Sequence, residues 1–257
     1  MSRTLEFSYD IALDFDRPVT AHSFVLRCLP ADFPGQRVLS AALTLDPAVP
    51  YTEQRDGFGN RLQIGRIDAP HRQFHYRAAG QVLRDDGARQ PEPDRRIFRY
   101  PSPCTAPSAA LRDAAAALEL PADARAKAWA LLEAVGRHMQ YTPGVTGVDT
   151  TAARAFAMGQ GVCQDYAHVY LALARLCGLS ARYVNGLPEG EGASHAWCEV
   201  WLDGIWTGID PTQARWADEG YIRFGVGRDF TDCPMERGVF LGGANQCQTV
   251  FMKVSEQ

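Results

Sequence analysis

The stretch His195-Ala-Trp-Cys-Glu-Val-Trp-Leu-Asp-Gly-Ile-Trp-Thr-Gly-Ile-Asp-Pro211 decides how the second half of this chain is built. Asp203-Gly204 is a two-residue hairpin signal, because both residues tolerate the positive φ that such a turn demands. Taking Leu202 opposite Ile205 and counting outward sets Trp197 opposite Asp210. His195 stands two residues from Trp197 on the same face, so Asp210 becomes its diagonal neighbour. Diagonal pairs lie roughly 7–8 Å apart at Cα, which an imidazole and a carboxylate can bridge. One face of this hairpin, Ala196, Cys198, Val200, Leu202, Ile205, Thr207 and Ile209, reads as core. The other, His195, Trp197, Glu199, Trp201, Trp206 and Asp210, reads as the catalytic face.

Upstream, Gly159-Gln-Gly161 breaks the chain before a helix expected over about residues 162–177, with Tyr166, Val169, Tyr170, Leu173 and Leu176 as its apolar stripe. Cys163 falls in the first turn. Unpaired N–H groups and partial positive charge there favour a thiolate and can bond an oxyanion. Gly161 is expected to leave room for substrate beside the backbone. Cys163 is therefore the candidate nucleophile, His195 its base and Asp210 the group that orients the histidine. His168 lies five residues along the helix, about 140° around the axis, and points away from the thiol. It is expected to pair with Asp165 or to pack, and Asp165 reads as structural. His22, His71, His75 and His138 read as solvated or packed.

Alternating apolar residues mark the first hundred positions: Leu5 to Phe15 at every second place, then Phe24, Leu26 and Cys28, then Leu39, Ala41, Leu43 and Leu45, then Leu62 and Ile64, then Phe74, Tyr76 and Ala78. Turn chemistry such as Asp56-Gly-Phe-Gly-Asn60 separates them. A polar, proline-rich stretch between Arg84 and Pro107 follows. The expectation is an α+β chain with an antiparallel β domain over 1–105 and a catalytic domain over 106–257. A helix is predicted within 122–141, a short one capped by Thr150 or Thr151, then strands 181–187, 195–202 and 205–209. The tail from Tyr221 should add strands, Val250, Met252 and Val254 among them, that pack on the catalytic sheet or bridge the two units.

The chain has 257 residues, 46% of them hydrophobic and 22% charged, so it can bury a core without covalent staples. A net charge of −4 gives no electrostatic reason to expect nucleic acid. The N-terminus lacks a signal-like apolar run, and no run approaches the roughly 18 residues of a membrane span. A cytoplasmic protein with no membrane partner is the expectation. The seven cysteines are odd in number and scattered, and none forms a Cys-x-x-Cys pair, so neither a disulfide framework nor a metal site is expected, and no cofactor.

Three segments, Gly161-Val-Cys-Gln-Asp-Tyr-Ala-His168, Ser194-His-Ala-Trp-Cys-Glu-Val200 and Gly208-Ile-Asp-Pro-Thr212, together resemble the transglutaminase-like superfamily, the papain-like thiol enzymes whose chain order is Cys, His, Asp. Asp56-Gly-Phe-Gly-Asn60, Gly227-Arg-Asp-Phe230 and Arg237-Gly-Val-Phe240 resemble its bacterial members with an N-terminal β domain, so the likeness covers nearly the whole chain. The resemblance implies a papain-like core, with the cysteine helix packed on an antiparallel sheet that supplies His and Asp. It also implies acyl chemistry at an amide through a thioester. Superfamily members include transglutaminases, peptidases, amidases and non-catalytic proteins. The leading expectation is a cysteine peptidase or amidase acting on a peptide or protein substrate. The alternative is an amine acyltransferase, and the third reading a binding module. Trp129, Gln160 and Gln164 stay open as the second oxyanion donor. The loop before His195, Gly186 to Ala193, is short and acidic, and its Glu189 and Glu191 could attract a cationic amine.

Overall fold

The computed structural model describes residues 2–88 and 90–257. Its elements run β1 (Arg3–Leu26), β2 (Gln36–Asp46), β3 (Tyr51–Arg55), β4 (Arg61–Ile67), β5 (His71–Arg84), α1 (Ala109–Ala117), α2 (Ala124–His138), β6 (Gln140–Tyr141), α3 (Ala152–Met158), β7 (Gln160–Gly161), α4 (Cys163–Leu176), β8 (Ala181–Pro188), β9 (Gly190–Gly192), β10 (His195–Leu202), β11 (Ile205–Asp210), β12 (Arg215–Trp216), β13 (Tyr221–Gly227), β14 (Glu236–Leu241) and β15 (Gln246–Glu256).

The alternation from Leu5 to Phe15 is the first half of β1, and all six of those side chains are buried. The second apolar series, Phe24 and Leu26, continues the same strand. Pairing with β5 breaks between Asp14 and Val19, and pairing with β14 breaks between Thr20 and Ser23, so β1 bends. Its first half lies between β5 and β15, its second between β4 and β14. The result is a curled antiparallel sheet of eight strands. Leu39 departs from the expected phase. Val38 pairs with Val82 and Ser40 with Gln81, which makes Leu39 the extra residue of a β-bulge and leaves it 44% exposed.

The second sheet has the order β12-β11-β10-β8-β13 and is antiparallel. On one face α4 packs with α1, α2 and α3, burying Val169, Leu173, Cys198, Val200 and Ile209 in one cluster. The other face meets the curled sheet, where the Phe7 and Phe224 rings stand 5.4 Å apart edge to face. The five-stranded sheet is thus a middle layer. The hairpin face read as catalytic is a second interface along most of its length, since Trp197, Glu199 and Trp206 are buried as fully as the core face. Glu199 there takes Arg182 at 2.6 Å on one oxygen and Arg223 at 2.8 Å on the other.

Two segments of low periodicity join the layers. Asp56-Gly-Phe-Gly-Asn60 connects β3 to β4 and brings the fully buried Asn60 against β13, where it donates to Val226 O and accepts from Val226 N, both at 2.8 Å. The proline-rich stretch lies across the catalytic unit, held by the buried Arg175 of α4, which donates to Phe98 O, Thr105 Oγ1 and Ser102 Oγ. Helix α1, with Ser108 as its N-cap, was not expected; it is only nine residues long, and Leu111 is its buried side chain. The strands of the tail, β14 and β15, pair with β1, and β15 also pairs with β9.

Candidate active site

Cys163 is the first residue of α4 and is partly exposed. The chain is set up for this by Asp165, two residues on, whose Oδ2 accepts from Val162 N at 2.8 Å and from Thr146 Oγ1 at 2.7 Å. Asp165 therefore caps the helix rather than meeting His168. Gly161 serves that cap: a Cβ there would lie 2.5 Å from both Cβ and Oδ2 of Asp165. The room expected beside Gly161 for substrate is filled by this side chain. His168 is fully buried, accepts from Phe230 N at 3.2 Å, and is pushed down to about 4 by burial, so it is a neutral packing histidine.

The hairpin register is the one counted outward from Asp203-Gly204. Leu202 pairs with Ile205 and Cys198 with Ile209, with φ of 51° and 87° at the two turn residues. Asp210 then reaches His195 diagonally, with Nε2 to Oδ2 at 2.7 Å. Asp210 is fully buried, and four donors hold it. Thr212 N and Gln213 N donate to Oδ1 at 2.9 and 3.1 Å, and Tyr221 OH joins His195 on Oδ2 at 2.9 Å. Such a carboxylate fixes the Nε2–H tautomer and turns Nδ1 towards the thiol. Burial works to lower the His195 pKa, yet the hydrogen bonds to Asp210 and Cys163 and the charges of both raise it to about 9. The imidazolium is therefore the favoured form of His195 at neutral pH.

The structure thus brings the three predicted residues to one place from two elements, the start of α4 and the far end of the β10–β11 hairpin. It also adds neighbours the sequence reading missed. Tyr221, from β13, braces Asp210 and packs edge to face on Trp197, whose ring is 6.3 Å from that of His195. Tyr141 is 53% exposed and pairs with Gly161 through β6 and β7; burial and the charge of Cys163 both raise its phenol. Two open candidates for the oxyanion donor are committed elsewhere: Trp129 Nε1 donates to Glu133 at 3.0 Å and Gln164 Nε2 to Val148 O at 3.1 Å. The acidic loop is not an open anionic patch. β9 is paired to β15, Glu189 meets Arg3 at 2.8 Å and Glu191 meets Lys253 at 2.9 Å. Among the described residues no group of His, Cys, Asp and Glu side chains could hold a metal ion, and no helix is long and apolar enough to cross a membrane.

Comparison with known proteins agrees with this architecture. A crystal structure of a Cytophaga hutchinsonii protein, described as a candidate cysteine protease, superposes with a TM-score of 0.80 at 20% identity, covering 100% of this chain and 91% of that one. An uncharacterised Mycobacterium leprae protein is 40% identical over 123 residues, and the match spans 44% of either chain. An uncharacterised Mycobacterium tuberculosis protein is 29% identical over 241 residues, 79% of this chain and 77% of its own. Residues 5–83 match the bacterial transglutaminase-like N-terminal region, and residues 112–211, which include Cys163, His195 and Asp210, match the transglutaminase-like superfamily. The chain thus carries, in order, a bacterial transglutaminase-like N-terminal region and a transglutaminase-like core.

Proposed function

We propose that this chain is a thiol-dependent amide-bond hydrolase, a peptidase or amidase, with Cys163 as nucleophile, His195 as acid and base, and Asp210 as the residue that positions the histidine. The observation that carries the reading is the 2.7 Å contact of His195 Nε2 with a fully buried Asp210, opposite a thiol at a helix N-terminus. The Cys163 thiolate attacks the substrate carbonyl carbon, and the oxygen that becomes negative faces the first N–H groups of α4. His195 gives its Nδ1 proton to the amine as the C–N bond breaks, leaving a thioester on Sγ. The neutral imidazole then takes a proton from water, hydroxide adds to the thioester, and the acid leaves as Sγ regains its place beside the imidazolium. Exposed Tyr141 lines the approach.

Water is favoured over an amine in the second half-reaction because transfer needs a site that gathers the amine and keeps water out. In the loop before His195, Glu189 and Glu191 already face Arg3 and Lys253, so that loop offers no free charge to an amine acceptor. A peptide or protein is the substrate this reading assigns, and a reducing, cytoplasmic compartment suits a working thiol among six other unpaired cysteines. The test is a peptide substrate with a dansylated primary amine at rising concentration, products read by mass spectrometry. Hydrolysed product should dominate up to millimolar amine. Labelled product replacing it below that level makes the protein an amine acyltransferase instead.

A further inference from the structure

A cleft of about 400 Å³ opens where the curled sheet meets the catalytic unit, lined among others by Tyr9, Val148, Ser194, Phe230, Glu236 and Gln248. It starts at the reactive centre from both sides. Ser194 precedes His195 in the chain, and Val148 is the residue whose carbonyl holds Gln164, next to Cys163. Its floor is polar. Glu236 Oε2 accepts from Tyr76 OH at 3.2 Å and from Gln248 Nε2 at 3.3 Å. Glu236 Oε1 accepts from no group among the described residues.

We propose that this cleft is the subsite that selects the substrate, and that Glu236 receives there an ammonium group, from a lysine side chain or from a free amino terminus. The proposal rests on the hydrolase reading and names its substrate class. A carboxyl set into a cleft needs a cationic partner to stay ionised at low cost, since burial alone penalises the charged form. Glu236 has none among the described residues: burial pushes it up to about 7, against the lowering effect of the Tyr76 hydrogen bond. Arg237, next on β14, is exposed at the rim and makes no ion pair with it. A cation that reaches the floor therefore finds one charge-assisted bond, with Tyr76 and Gln248 holding the carboxylate in place. Apolar flanks from Val148 and Phe230 suit the methylene stem of such a group.

The experiment compares kcat/KM on matched peptides: acetylated with lysine placed in turn around one amide bond, unacetylated with norleucine there, and acetylated with norleucine. At least one ammonium-bearing peptide should exceed the neutral one by about tenfold or more, and which arm does so identifies the source of the ammonium. Glu236→Gln should bring that ratio close to one, and so should Val148→Trp, which fills the mouth from an exposed position and guards against misfolding of the first variant. Ratios within twofold in the unmodified protein, or an unchanged ratio in both variants, overturn the subsite. If no peptide is cleaved, the hydrolase reading fails by itself. Calorimetry on Cys163→Ala with Nα-acetyl-lysinamide, norleucinamide and Nα-acetyl-norleucinamide then still decides the subsite: equal binding of all three overturns it, and tighter binding of an ammonium ligand supports it.

Discussion

Replacing Asp210 by Asn keeps the size and most hydrogen-bond geometry of the side chain but removes its charge. The His195 pKa stands at about 9 against an ordinary 6.5, which corresponds to roughly 3 kcal/mol in favour of the imidazolium. Asp210 and Cys163 share that effect, so Asp210→Asn should remove about half or more of it, and the histidine should titrate at about 8 or below. The sign of the linked stability follows. A raised folded pKa contributes fully below the unfolded value of 6.5 and is lost as pH rises through about 9. The variant should therefore be less stable than the parent by roughly 1.5–2 kcal/mol at pH 6, and the gap should close above pH 9. The same interaction supports the acid that protonates the leaving amine. A loss of 1.5–3 kcal/mol is about ten- to hundred-fold in kcat/KM, with the alkaline limb of the profile moving to lower pH. Histidine ring proton NMR across pH 5–10 reads the pKa, urea denaturation at pH 6 and 9.5 reads the stability, and initial rates read the profile. An Asp210→Asn protein whose His195 still titrates near 9, with an unmoved alkaline limb, would refute the assignment of Asp210.

Three further outcomes can be checked. At pH 6, iodoacetamide should alkylate Cys163 about tenfold or more faster than exposed Cys247, and faster still than the other five, whose thiols burial pushes up; peptide mapping at short times reads the order. Asn60→Ala strands the N–H and C=O of Val226, at about 1–2 kcal/mol each, and should lower the melting temperature by about 5–10 °C in calorimetry. Gly161→Ala should force Asp165 out of its cap, lowering both urea stability, by about 1–3 kcal/mol, and the rate of Cys163 alkylation.

The parts of the site that were legible in the chain are those whose geometry is set by near neighbours. A two-residue turn fixes a hairpin register, and a Gly-Gln-Gly break followed by a helical stripe places Cys163 at a helix start. Both inferences need only a dozen or so consecutive residues. Tyr221 was not legible, because it reaches Asp210 only after β13 crosses to the far side of β8. Nor was the role of Asn60, since its partner Val226 lies 166 residues away. The roles of Gly161 and Asp165 were read one residue at a time, and the structure couples them. Period-2 alternation located β1 and β5 but could not report the bulge at Leu39, which changes phase without changing composition. The hairpin's Trp and Glu side chains looked like an open catalytic face because a strand buried on both sides, as in a middle layer, can carry large amphipathic residues when arginines pair the charges.

The placement of β15 bears on how the molecule comes into being. The leading half of β1 is flanked on one side by β5, some seventy positions later, and on the other by β15, so that Gln257 bonds Glu6 across 251 residues. During synthesis that edge stays open while β2 to β14 emerge, displaying Phe7, Tyr9 and Ile11 beside unpaired backbone groups. Pairings of such span close slowly, because the chain loses its loop entropy before the contacts form. β9, immediately ahead of His195, pairs with β15, and its Glu191 meets Lys253 of that strand. His195 itself stands on β10, paired to Gly186 of β8, so its strand and the cysteine helix can meet in the middle sheet before β15 is laid down, and the short strand ahead of the histidine is fixed last. The strand that completes the curled sheet beside β1 also holds β9, so one long-range pairing finishes the sheet and fixes the lead-in to His195 together.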